Sequence, residues 1–162
     1  MLGFKLKILN MTNLKLMVGD YATIDNPKYY PKLKDIPLLI TGYYKCLDVE
    51  GTTWTMGYQL EHCNQIKNTY YDTYSQLMKF IQPIPLSPEI MEKIEGWVKC
   101  KDNSTYGSSY TNEVFRIRFY KDKFWRIIYK DVTLDNIEGY LHQLQQLIRL
   151  FCNKEIEVKW EK

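Results

Sequence analysis

The chain predicts an α+β fold: a small β-barrel of SH3-like size over residues 1–82, followed by a mixed antiparallel-sheet and helix subdomain over residues 83–162. Three observations carry this reading. The N-terminal half alternates apolar and polar residues in short runs separated by turn residues, which is the period of half-buried strands. A proline-rich junction, "PIPLSPE", then fixes an extended path at Pro83, Pro85 and Pro88. Beyond it come a hairpin pattern and one amphipathic helix.

In "FKLKIL", Phe4, Leu6 and Ile8 alternate with Lys5 and Lys7; in "LKLMV", Leu14, Leu16 and Val18 share a face up to a bend at Gly19-Asp20. The three prolines of "DNPKYYPKLKDIP" give a surface loop. Two strands joined at Glu50-Gly51 and a further strand in "YDTYSQLMKFIQ" complete the first part. After the junction, Ser87 is a natural N-cap with Pro88 at the first helical position, so a short helix over 88–95 should stop at Gly96.

The hairpin "EVFRIRFYKDKFWRIIYKDV" sets Phe115, Ile117 and Phe119 against Arg116 and Arg118 in one arm. In the other, Trp125, Ile127 and Tyr129 alternate with Arg126, and the turn lies at Lys121-Asp122-Lys123. The terminal helix takes Asp135 as N-cap with Glu138 closing a capping box, and carries Ile137, Tyr140, Leu141, Leu144, Leu147, Ile148 and Phe151 on one stripe. Asn153 stops it, and "EIEVKW" reads as a last strand.

Composition narrows the functional classes. With 45% hydrophobic and 25% charged residues the chain is that of a folded globular protein, and no apolar run reaches the roughly 18–20 residues of a membrane span. The N-terminus alternates apolar and basic residues and has no signal-peptide core, which suggests a protein retained in a cytoplasm. Cys46, Cys63, Cys100 and Cys152 show no ligand-pair spacing, so free thiols and no metal are expected; "EHC" (Glu61, His62, Cys63) is the only place with two soft ligands side by side. No phosphate-cradling glycine pattern is present, and no cofactor is expected. The charge of +3 is modest, but residues 1–34 hold six lysines against two aspartates, and residues 99–130 hold eight Lys or Arg against three acids.

Within the helix, "GYLHQLQQLI" places His142 opposite the apolar stripe, with Glu138, Gln145, Gln146 and Arg149. A carboxylate four residues away could orient His142 as a base, yet no nucleophile or second carboxylate accompanies it, so a polar stripe facing the β half or water is the expected role.

"PIPLSPEIMEKIEGW" and "YLHQLQQLIRLFCNKEIEV" together resemble a group of small proteins of unknown function from phages and mobile elements of Bacteroidetes. Those proteins carry a "GD" or "GN" opening segment, a "PIPLT" and "iLeklGF" junction, and a closing "yvHqLQnly" helix with a "gkEL" strand. Here Met17, Gly19 and Asp20 match the first; Pro83, Ile84, Pro85, Leu86, Ser87, Ile90, Ile94 and Gly96 match the second, with Trp97 for phenylalanine and Glu95 for leucine. Tyr140, His142, Gln143, Leu144, Gln145, Leu147, Glu155 and Ile156 match the third, with Gln146 and Ile148 departing from it. The resemblance implies a phage or prophage origin and a two-part α+β fold, and implies no activity.

The expected function is that of a phage-encoded, non-enzymatic accessory protein binding a host or viral protein, as a virion component or as an inhibitor of host defence, in the host cytoplasm or the virion. The contact residues expected for this are tyrosines in polar segments, Tyr70, Tyr71, Tyr74, Tyr106 and Tyr110, because tyrosine gives rigid contact area at low entropy cost. The alternative is a nucleic-acid-binding protein using Arg116, Arg118 and Arg126 of the hairpin for phosphates, with Tyr120 and Trp125 stacking bases.

Overall fold

The computed structural model describes residues 15–160 except 48–49, 53, 64–72 and 102–106. The expected strand in "FKLKIL" lies outside the described residues. Two compact units are present, one over Leu16–Ile84, the other built from Lys15 and from Pro85 onward. Among the described residues the two units hold antiparallel sheets and two α-helices, an α+β fold.

The first unit holds β1 (Tyr21–Ile24), β2 (Leu38–Leu47), β3 (Trp54–His62), β4 (Thr73–Leu77), a single 3-10 turn (Met78–Phe80) and β5 (Ile81–Pro83), in the sheet order β4-β3-β2-β1-β5. Strands β4 and β5 stand at its two edges, so among the described residues this sheet is open, and barrel closure is not seen. Its core is Ala22, Ile24, Leu33, Leu38, Ile40, Tyr58, Leu60 and Ile81. The alternation expected in "LKLMV" does not become a strand. The buried carboxylate of Asp20 accepts the Met17 N–H at 2.9 Å while the Asp20 N–H donates to the Met17 carbonyl, and this local turn outcompetes a ladder. Gly19, at φ 91, supplies the left-handed step, and its N–H reaches the Ile40 carbonyl.

The second unit opens with α1 (Pro88–Lys93). Ser87 Oγ accepts the Ile90 N–H and Pro88 takes the first helical position, as the sequence suggests. The sheet order is β10-β9-β8-β7-β6, with β6 (Val98–Lys99), β7 (Gly107–Thr111), β8 (Phe115–Tyr120), β9 (Lys123–Tyr129) and β10 (Val132–Leu134). Strand β10 is absent from the sequence reading, although the signal recurs: "YKD" at 120–122 and at 129–131 makes two two-residue hairpin turns. In both, Lys and Asp are left-handed (φ 49 and 60; φ 42 and 66). "EIEVKW" forms only a bridge, Val158 with Ile94.

Helix α2 (Leu141–Cys152) buries Leu141, Leu144, Leu147 and Ile148, and Phe151 packs on Phe115 and Tyr129 at 5.8 and 4.6 Å between ring centres. Its start differs from the expected Asp135 cap. Asn136 and Gly139 are both left-handed, which keeps the chain out of the helix until Tyr140. Gln143 then closes the cap: its Oε1 accepts the backbone N–H groups of Glu138, Gly139 and Tyr140 at 3.0–3.1 Å. The helix ends on Asn153 in the left-handed conformation, as expected. The two motifs "PIPLS" and "GYLHQLQ" meet here: Pro85 bridges Tyr140, and the Leu86 N–H donates to the Gly139 carbonyl at 2.7 Å.

Candidate nucleic-acid interface

Alternation in β8 sends Phe115, Ile117 and Phe119 into the core and leaves Arg116, Arg118 and Tyr120 on the outer face. In the register with β9, Ile117 faces Ile127, Arg116 faces Ile128, and Arg118 lies directly opposite Arg126. The register then slips by one residue, so that Phe119 pairs with Phe124. This bulge corrects the expected alternation of Trp125 with Ile127 and Tyr129. Phe124 takes the inward place and packs edge-on against Phe119, while Trp125 becomes the extra residue and is 56% exposed. The Arg126 guanidinium lies 3.8 Å from the centre of the Trp125 ring.

A groove of about 440 Å³ runs over this outer face, lined by Arg116, Arg118, Arg126 and Lys130 and also by Glu113 and Asp131. Among the described residues none of the three arginines forms an ion pair. The Nε atoms of Arg118 and Arg126 are buried and have no hydrogen-bond acceptor. Two like charges placed directly across a strand pair repel, at a cost of roughly 0.2–1 kcal/mol. A donor array of this kind suits an anion that accepts from several planar guanidinium forks at once.

Of the five tyrosines expected at a contact surface, only the side chain of Tyr110 is among the described residues. Tyr70, Tyr71 and Tyr106 lie outside the described residues, as does the side chain of Tyr74, whose backbone pairs with Leu60. Tyr110 is a core residue, 1% exposed, with its ring edge on Phe119 and its hydroxyl donating to Glu92 at 2.9 Å. Burial, reinforced by that acceptor, pushes its hydroxyl well above the ordinary tyrosine range. It is removed from any contact surface because its alternation partner across the sheet is Ile117, on the inner face.

The polar stripe of α2 is also interior: His142 and Gln145 are 5% and 1% exposed, not solvated. The His142 ring stacks on Tyr140, and Gln146 Nε2 donates to the Lys15 carbonyl. Glu138 precedes the helix, so the four-residue spacing that would set it below His142 is not realised. In "EHC", the Cys63 thiol donates to the Pro37 carbonyl, and burial pushes it up to about 12. Among the described residues no group of three His, Cys, Asp or Glu is placed to hold a metal ion, and no helix is long and apolar enough to cross a membrane.

No known protein family, curated protein or solved structure matches this chain.

Arg116, Arg118, Arg126, Tyr120 and Trp125, the residues expected for this role, lie together on one strand pair. Lys130, which is not among those expected residues, follows β9 in the second Lys-Asp turn and borders the same groove.

Proposed function

We propose that the protein is a non-enzymatic accessory protein that binds single-stranded nucleic acid on the outer face of its second sheet. One observation carries this reading: Arg118 and Arg126 oppose each other without an acidic partner, beside a Trp125 that is more than half exposed. Guanidinium groups track phosphates, and an exposed indole offers its face to an unpaired base; duplex bases are already stacked and do not reach it. Exposed Tyr120, two residues along the same face from Arg118, adds a second ring. The phage or mobile-element setting is part of the proposal and is supported by the junction and helix motifs. So is an SH3-like character for the first unit, supported by a fifth strand that returns to pair with the first and a 3-10 turn just before it.

The test is fluorescence anisotropy with labelled ten-nucleotide DNA and RNA strands at near-physiological salt. Arg118→Thr and Arg126→Thr should each weaken binding about tenfold or more. Each should also leave the fold at least as stable, because removing one guanidinium relieves the cross-strand repulsion and threonine suits a strand. Absence of binding by the unaltered protein, or undiminished binding by both variants, would overturn the reading.

A further inference from the structure

We infer that a second groove of the same unit is a nucleobase pocket serving the strand held by the arginines, an inference that rests on the binding face proposed above. This groove, about 400 Å³, lies within the size range of small-molecule sites, roughly 300–1,000 Å³. Its walls include Trp97, Ile148, Phe151 and Ile156, which come from the loop after α1, from α2 and from the C-terminal segment.

Position selects the occupant. The arginine groove and the apolar groove share Asn112, Glu113 and Val114, so one ligand can pass from the first into the second over a single turn. That turn is held in place. Asn112 Oδ1 accepts the N–H groups of Val114 and Phe115 at 2.8 and 2.6 Å, and Thr111 Oγ1 donates to the carbonyls of Asn112 and Phe115. A fixed ridge between a cationic groove and an aromatic-walled one matches the alternation of phosphate and base along a strand.

The apolar walls suit a base better than a phosphate. Glu95, Glu113, Glu155 and Lys154 also line this groove, so its charge is mixed, and two of the carboxylates have cationic partners. Glu155 is held by Arg149, whose Nε lies 2.8 Å from both carboxylate oxygens, and Glu95 lies 3.8 Å from Lys159. Glu113 forms no ion pair among the described residues, and its carboxylate can accept from the amino group of a base. The pocket should therefore favour guanine, cytosine or adenine over thymine or uracil, which lack an exocyclic amino group.

Two readouts test this on the full chain. Cys152 lines the apolar groove, whereas Cys100 lines neither groove. A saturating ten-nucleotide strand should slow alkylation of Cys152 by N-ethylmaleimide at least fivefold and leave Cys100 unaffected. Separately, a single abasic site moved along the strand should cost about tenfold in affinity at one position even in Trp125→Ala, where stacking on the indole is gone. In Glu113→Ala the preference for an amino-bearing base at that position should vanish. If the strand binds with the arginine dependence described above, yet Cys152 is unprotected and Trp125→Ala is indifferent to every abasic site, the pocket is overturned and the binding face stands. If the strand does not bind at all, both fall.

Discussion

Gln143 shows what a single residue in the helix does and why its role could not be read from the sequence. Among leucines and glutamines, "LHQLQQL" is compatible with a site, a polar stripe or a cap, and only the left-handed Gly139 before it decides for the cap. With 2% exposure, Gln143 satisfies three backbone donors, of which the Gly139 N–H is buried. Gln143→Leu, of similar shape but without an acceptor, should cost about 2–3 kcal/mol in urea unfolding, and Gln143→Glu should cost less than half of that. Equal losses in the two variants would remove the acceptor role. Cys63 gives a pH signature. Its thiol ionises near 9 when unfolded and near 12 when folded, because burial disfavours the thiolate. Its contribution to stability is therefore complete below pH 9 and is lost as pH rises toward 12. Tyr58, raised chiefly by burial and then by Tyr43 and Asp20, acts in the same direction from about pH 10. Unfolding midpoints should fall between pH 9 and 11, and Cys63→Ala should flatten the early part of that fall.

At the scale of elements, the alternation of β8 was legible, whereas the alternation of "LKLMV" and "EIEVKW" did not become strands and the irregularities of register gave no signal. Phe115, Ile117 and Phe119 are buried as their spacing predicts. The bulge that exposes Trp125 leaves no mark in "KFWRIIY", because Phe124 and Trp125 are equally good inward residues and packing against Phe119 chooses between them. The approach of the α2 cap to β9 is equally hidden and can be tested. A Cβ at position 139 would stand 2.3 Å from the Phe124 ring, and φ there is 86. Gly139→Ala should therefore destabilise by about 2–4 kcal/mol, combining overpacking with a strained backbone. Gly96 has a similar φ of 82 but open space around it, and Gly96→Ala should cost only about 1 kcal/mol. Thermal unfolding of the pair separates the steric from the conformational part; equal shifts would deny the contact with Phe124.

For the whole molecule, neither groove was readable from the sequence. The arginine groove needs the register of β8 with β9, and the apolar one draws on segments far apart in the chain, so no local spacing announces either. Net charge misleads in the same way: +3 over 162 residues says little about a face where four basic residues border one groove. The local arrangement sets the ionic-strength dependence. Three arginine contacts to a single strand should give a slope of log affinity against log salt near −2, at about −0.7 per phosphate. A slope close to zero would mean that phosphates are not what these arginines hold, and one steeper than about −4 would mean that cations elsewhere on the chain contribute.

The contact between Leu86 and Gly139 also bears on how the second unit folds. It joins residues 53 positions apart, counting from 86 to 139, and closing such a span costs about 3.5 kcal/mol in chain entropy before any other contact compensates. On a ribosome, the segment that opens this unit must wait for the start of α2 to emerge before it can be fastened. The hairpin between β8 and β9, with a two-residue turn, has no such delay. The hairpin in the middle of this unit can thus form before residue 86 is joined to the start of α2, although residue 86 is made before either.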